Sequence, residues 1–306
     1  MLTLPVPTTL ERDDRPAYRP FRVRVSAIRE LSPHFTRVTF SDAELQFFGT
    51  DRLDQRIKVV LPLENHGYAT FLMDAEWYSH WRTLPDDERN VFRTYTVRDV
   101  RPETGELDVD FVSHGDGGPA ARWLLTAAVG DELVIVGPDA RSRDSHVGID
   151  WRPGAAKSVL LVGDETATPA ICAILESLDP SITAHAFIEV PSAADFLPID
   201  THAKVTWLAR GEASGLEAAV RSWVSENPAA FTSALARSAQ VLEEIDVDLE
   251  LLWDSPEEAT VEFYAWLAGE SAIIKSLRRF LVSETGIDRT RVAFMGYWRL
   301  GKAEAQ

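Results

Sequence analysis

The chain has 306 residues and a hydrophobic fraction of 45%, enough for two domains of ordinary size that each bury a core. A formal net charge of −17 excludes a nucleic-acid binder that works through a basic surface. One cysteine, Cys172, excludes an internal disulfide or a cysteine-held iron–sulfur centre, and the seven histidines are scattered without metal-ligand spacing.

Residues 1–20 mix Pro, Asp and Arg and carry no apolar stretch of the signal-peptide kind, and no later run reaches membrane-span length. The expectation is a soluble, cytoplasmic protein with neither membrane nor nucleic acid as partner. From there the chain reads as short strands at 21–27, 35–40, 57–61, 95–100, 106–112 and 132–136, separated by turn residues such as those at 102–105. Many short strands without regular helices predict an antiparallel barrel. The exception is 118–128, where Ala121, Trp123, Leu124 and Ala127 form a helical apolar face.

A polar link at 141–154 precedes a different rhythm. Strands at 158–162, 182–190, 204–208, 261–267 and 291–295 alternate with helices at 169–178, 214–224 and 271–283, and 231–245 is expected to add one more helix. Such alternation predicts a parallel sheet with both faces covered. The fold class is therefore an N-terminal antiparallel Greek-key barrel over 1–145 followed by a parallel-sheet β/α domain over 155–306.

The most informative segment of the barrel half is Arg93-Thr94-Tyr95-Thr96-Val97-Arg98, followed about twenty residues later by His114-Gly115-Asp116-Gly117-Gly118-Pro119-Ala120-Ala121-Arg122-Trp123. The ring of Tyr95 suits the face of an isoalloxazine, Thr96 its polar edge, and the planar fork of Arg93 a phosphate. Gly117 and Gly118 let backbone approach an anion closely, and Pro119 starts a helix whose first amides face it. Taken singly, each segment also reads as a plain strand or a plain Gly-Pro turn.

The β/α half lacks the Gly-x-Gly-x-x-Gly fingerprint. Instead Gly163-Asp164-Glu165-Thr166-Ala167-Thr168-Pro169 follows the first buried strand, with Thr168 expected as N-cap, Pro169 at the first helical position, and free amides at the strand's carboxyl end. A second turn, Ala268-Gly269-Glu270-Ser271, follows the strand at 261–267, and the two together suggest a shared crevice. An ordinary capped strand-to-helix turn is the competing use of either.

This arrangement resembles the ferredoxin-reductase-like flavoproteins. More narrowly, VSHGDGGPAARW at 112–123, GDETATPAI at 163–171, WLAGE at 266–270 and GYWRLG at 296–301 are similar to the siderophore-interacting proteins, cytoplasmic ferric-siderophore reductases. The resemblance runs over about 21–301. It implies a non-covalent FAD in the barrel with Arg93, Tyr95 and Thr96 at the flavin, Val112 and His114 beside it, and Gly117, Gly118, Pro119, Ala120 and Ala121 around the pyrophosphate. Ala121 stands where relatives often carry a hydroxyl.

It further implies that NADPH or NADH lies across Gly163, Asp164, Glu165, Thr166 and Thr168 and across Ala268, Gly269 and Glu270. Arg210 is placed to meet a ribose 2′-phosphate, with a solvated loop arginine as its alternative use. Trp298, and with it Tyr297, is expected to cap flavin or adenine, or to pack in the core.

Hard oxygen donors suit iron(III) better than iron(II), so one-electron reduction loosens a ferric siderophore. A flavin links a two-electron hydride donor to a one-electron acceptor, and no side-chain general acid or base is required. Anionic chelates need a local basic pocket, for which Lys58 is the first candidate and Arg299 and Lys302 follow; Lys275, Arg278 and Arg279 read as a solvated helix face. Ferredoxin as electron partner in place of a nicotinamide, or a siderophore carrier without turnover, are the competing readings.

Overall fold

The computed structural model describes residues 10–49, 51–113, 118–211, 215–243, 245–247, 250, 252–256 and 262–301. His114, Gly117 and Lys302 lie outside the described residues.

The first half is one antiparallel sheet. Its strands are β1 (Tyr18–Ser32), β2 (Phe35–Ser41), β3 (Arg56–Val60), β4 (Phe92–Thr96), β5 (Asp99–Arg101), β6 (Glu106–Val112) and β7 (Glu132–Pro138). They lie in the order β4-β3-β7-β1-β2-β6-β5. β4 and β5 occupy opposite edges of that order, yet only Val97 and Arg98 separate them in the chain. A sheet whose two edges are tied by two residues must curl until they meet, which makes it a barrel. Inward positions along the strands, such as Val23, Val38, Ile57, Val59, Val109 and Leu133, fill its interior.

Two short helices decorate the barrel: α1 (Trp77–Thr83), which seats Trp77 and Trp81 against Phe92, and α2 (Pro119–Thr126). The strand expected at 95–100 is two strands, because Val97 and Arg98 form the corner that closes the barrel. α1 was not expected. Its aromatic-rich run carries no capping residue, and Glu76 at its N-cap makes no side-chain hydrogen bond.

The second half holds β8 (Ser158–Gly163), α3 (Thr168–Ser177), β9 (Thr183–Val190), β10 (Lys204–Ala209), α4 (Leu216–Glu226), β11 (Trp253–Asp254), β12 (Phe263–Glu270), α5 (Ser271–Arg278) and β13 (Val292–Trp298). The sheet order is β10-β9-β8-β12-β13-β11, parallel except for β11 at the edge. Successive residues of β8 serve opposite faces: Val159 and Leu161 pack with α3, and Leu160 and Val162 with α4 and α5. That double burial explains the unbroken apolar run.

The helix expected at 231–245 does not form. A short 3-10 segment, Pro228–Ala234, ends at Leu235, and beyond it the chain is held by single bonds such as Ala236 N to Gly286 O (2.9 Å). Nor is the face of α5 fully solvated: Arg278 is buried against Asp254 (3.0 Å) and the Glu243 carbonyl (3.3 Å), a correction to the solvated-face reading.

The segment 141–154 is packed structure. Asp54, just before β3, is fully buried and accepts hydrogen bonds from the amides of Asp150 and Trp151 and from Trp266 Nε1 (2.9 Å) in the centre of β12. Burial pushes its carboxyl up to about 6. Arg98 adds a second tie from the barrel to Glu176 on α3 (2.6 Å), and His34 Nδ1 a third to buried Asp195 (2.7 Å). Phe35 belongs to the same apolar cluster as α3 and β8, so the halves share a core.

Candidate functional site

Register in the barrel sorts the candidate residues by face. Lys58 opposes Thr94 and Arg56 opposes Thr96, whereas Ile57 opposes Tyr95 and Val59 opposes Arg93. Cross-strand partners share a face, so Lys58, Arg56, Thr94 and Thr96 lie on one side of β3–β4 and Tyr95 and Arg93 on the other.

On the second side the Tyr95 ring meets Phe111 of β6 at 4.5 Å between centroids, and Phe111 meets Trp123 of α2 at 5.5 Å. That chain of rings joins Tyr95, through Phe111, to the middle of α2. At this start Gly118 is the N-cap, with extended backbone and no side-chain capping bond, and a Cβ added there would meet nothing within 4 Å. Ala120 is buried, Pro119 and Ala121 are half-buried, and Val112 packs where the two halves join. Arg93 donates to the Phe92 carbonyl (2.8 Å) and forms no ion pair among the described residues.

On the first side Lys58 Nζ donates to Thr94 Oγ1 (2.7 Å) and sits over the Phe92 ring, and Thr96 is buried. Arg56 stacks on Trp253 (4.2 Å), and Trp253 stacks on Tyr297 at 12° between planes. The face carrying Lys58 therefore abuts the end of β13. Tyr297 Oη is buried there without a hydrogen-bond partner among the described residues.

The crevice of the second half opens where strand order reverses, between β8 and β12. Gly163 opposes Ala268 there, and a Cβ on Gly163 would come within 2.5 Å of the Ala167 Cβ and 2.9 Å of the Ala268 carbonyl. Gly269 has φ +148, and a Cβ on it would strike the Asp164 carboxylate at 2.6 Å. Both glycines are required by close approach within the protein itself.

Asp164 is the hub of this crevice. Its carboxylate accepts from Thr166 N (2.9 Å), Thr166 Oγ1 (2.6 Å), Glu270 N (2.8 Å) and Trp298 Nε1 (2.7 Å), tying both turns to the end of β13. Burial, reinforced by the neighbouring Glu165 carboxylate, raises its pKa well above the usual carboxylate range.

The expectation of free amides at these turns is corrected in two places. Thr166 N is taken by Asp164, and the amides of Ala272 and Ile273 at the start of α5 are taken by Glu270 acting as its own cap (2.8 and 3.1 Å). Thr168 is the first residue of α3, Ala167 being the N-cap, and its hydroxyl donates back to the Asp164 carbonyl (3.0 Å). Carboxylates fill the positions in which an anion was expected.

Arg210 is bound by two carboxylates, bidentate to fully buried Glu165 and through Nε to Glu189 (3.4 Å). Glu189 was not singled out from sequence, although an acidic residue at the end of an apolar strand is a legible signal. Arg299 donates to the Glu250 carbonyl, and nothing among the described residues joins it to Lys58.

Comparison with known proteins assigns both halves. The siderophore-interacting FAD-binding domain matches residues 24–142, and the siderophore-interacting protein domain matches residues 156–301. An uncharacterised protein of Mycobacterium tuberculosis is 30% identical over 285 residues, covering 92% of this chain and 90% of the relative. The chain belongs to the siderophore-interacting protein family. The ferric vibriobactin reductase of Vibrio cholerae is 28% identical over 274 residues, covering 90% of this chain and 87% of that one. The siderophore-interacting protein SipS from Aeromonas hydrophila superposes with a TM-score of 0.64 at 29% identity, over 94% of this chain and 95% of that one. A ferredoxin NADP+ reductase from Neisseria gonorrhoeae shares the fold alone, with a TM-score of 0.57 at 12% identity over 92% of this chain and 99% of that one.

The barrel of this siderophore-interacting protein fits FAD. The uncapped start of α2 with open space at Gly118 suits a pyrophosphate, and the unpartnered Tyr297 Oη sits at the junction with the second half. No helix among the described residues is long and apolar enough to cross a membrane.

Proposed function

We propose that this protein is a cytoplasmic reductase of siderophore-bound iron(III), using FAD in the barrel and electrons from NADPH or NADH. The observation that carries the reading is the two-sided β3–β4 pair: the Tyr95 and Arg93 side leads through Phe111 to α2, whose start is uncapped, and the Lys58 and Arg56 side abuts Tyr297. Similarity to the ferric vibriobactin reductase supports the substrate class.

The α2 amides at Ala120 and Ala121 and the fork of Arg93 hold the cofactor's phosphates, and Tyr95 presents its ring to the flavin. Bound FAD supplies the exchange between a two-electron donor and a one-electron acceptor. Lys58, held over Phe92 by Thr94, offers a positive charge to an anionic chelate against an acidic surface. The nicotinamide nucleotide enters the β8–β12 crevice, where Asp164 fixes the positions of Thr166, Glu270 and Trp298.

A specific observation favours a second reading. Because Asp164 and Glu270 consume amides that a pyrophosphate would use, a protein electron donor such as ferredoxin is the alternative to a nicotinamide. Anaerobic mixing with NADPH or NADH, then a ferric siderophore and an iron(II) trap, separates the two. Bleaching of the flavin followed by iron(II) formation supports the nicotinamide route. A flavin-loaded protein that neither donor bleaches refutes it.

A further inference from the structure

We propose that the Glu165–Arg210–Glu189 cluster makes this protein select a nicotinamide donor without a 2′-phosphate, so that NADH is used in preference to NADPH. The inference rests on the nicotinamide reading above and concerns the adenosine end of the same crevice. β9 lies next to β8, and its carboxyl end places Glu189 beside the crevice, where the ribose of a dinucleotide lies in open α/β sheets.

An arginine at this point would ordinarily argue for a phosphate. Here both terminal nitrogens of Arg210 lie on Glu165 and its Nε on Glu189, so each nitrogen of the guanidinium already donates to a carboxylate and its charge is matched within the protein. The same carboxylates hold the guanidinium more firmly protonated, with its Glu165 bond the largest cause. To turn its fork fully onto a 2′-phosphate, Arg210 would have to give up its bidentate pair with Glu165, whose side chain is 0% exposed.

Glu189 is equally committed to carboxylate chemistry. Its Oε1 accepts the Leu216 amide at the start of α4 (3.0 Å), so a carboxylate already sits at that helix terminus. Beside it lies a depression of about 340 Å3 lined by Glu189, Glu217 and Arg221. Arg221 is in turn paired with Glu217 (2.9 Å) and Glu284 (3.0 Å). Four carboxylates thus face two guanidiniums, and each guanidinium is matched. A ribose 2′-hydroxyl can donate to Glu189, whereas a phosphate dianion meets net negative charge.

The test compares NADH with NADPH in anaerobic stopped-flow reduction of the FAD-loaded protein, alongside calorimetric binding of 5′-AMP and 2′,5′-ADP. The expected result is a second-order reduction rate at least about tenfold higher for NADH, and tighter binding of 5′-AMP than of 2′,5′-ADP. Glu189→Gln should narrow both ratios by roughly tenfold, since it removes one repelling charge. Arg210→Ala should widen them. Preference for NADPH in the wild type, or a ratio unmoved by both substitutions, overturns the inference while leaving the nicotinamide reading intact. If neither donor bleaches the flavin and neither nucleotide binds, the nicotinamide reading falls and the inference falls with it.

Discussion

Replacing Asp54 by alanine tests the junction between the two halves. The carboxylate is the acceptor for three buried donors, the amides of Asp150 and Trp151 and the indole of Trp266. A donor left unsatisfied in the interior costs about 1–3 kcal/mol, so three amount to roughly 6 kcal/mol. Against this, burial shifts Asp54 from 3.8 to about 6, equivalent to about 3 kcal/mol that the substitution returns at neutral pH. The net expectation is a destabilisation of about 3 kcal/mol at pH 7. Urea unfolding of the FAD-loaded protein, followed by tryptophan fluorescence and by flavin absorbance, reads it. Asp54→Asn, which keeps one acceptor oxygen, should lose less. A variant within about 0.5 kcal/mol of wild type would show that the donors find other partners and would refute the reasoning.

The remaining expectations concern pH, packing and substrate. Asp54 and Asp164 both titrate higher in the folded protein than in the unfolded chain, so the folded state holds protons the unfolded chain releases, and their contribution is full below about 4 and lost as pH rises through about 6. His185, whose pKa burial lowers to about 4, works in the opposite direction over the same range, so the test is the difference between wild type and Asp54→Asn: that difference in urea midpoint should be larger in favour of wild type at pH 5.5 than at pH 7.5, and a flat or opposite difference would contradict the burial argument. Gly163→Ala should cost about 1–3 kcal/mol in the same urea assay and slow flavin reduction by the nicotinamide, because its Cβ would press on Ala167 and the Ala268 carbonyl. Lys58→Ala should slow the iron-reducing half-reaction by about tenfold, read from flavin reoxidation against ferric siderophore concentration, with FAD retained; an unchanged rate would remove Lys58 from the substrate site.

Most strands were legible because each carries its own signal. In β6, β8 and β9 the apolar pattern and flanking turn residues are local, and the observed bounds lie within one residue of those expected. The failures came from apolar spacing without packing, as at 231–245, and from aromatic runs without caps, as in α1. In the candidate site, the glycines of both turns were readable, since backbone constraint is written in residue type. Asp54 and the Asp164–Trp298 bond were not, because their meaning depends on donors far away in sequence, in the second case 134 residues off. The occupation of the turn amides by Asp164 and Glu270 was hidden for the same reason, since a carboxylate beside a helix start reads equally as a cap and as a ligand contact.

The strand order of the barrel also dictates when it can be made. β4 and β3 form one ribbon, β1, β2, β6 and β5 another, and β7 lies between β3 and β1 as the one ladder that joins them among the described residues. On a ribosome, the two ribbons emerge joined at the Val97–Arg98 corner, with Tyr95 able to meet Phe111 across it, while the facing edges of β3 and β1 stay open. Only when the chain has been extended past Pro138 can the staple strand enter. The pairing is long-range and therefore slow, so the nascent barrel passes through an interval in which two unpaired edges face solvent.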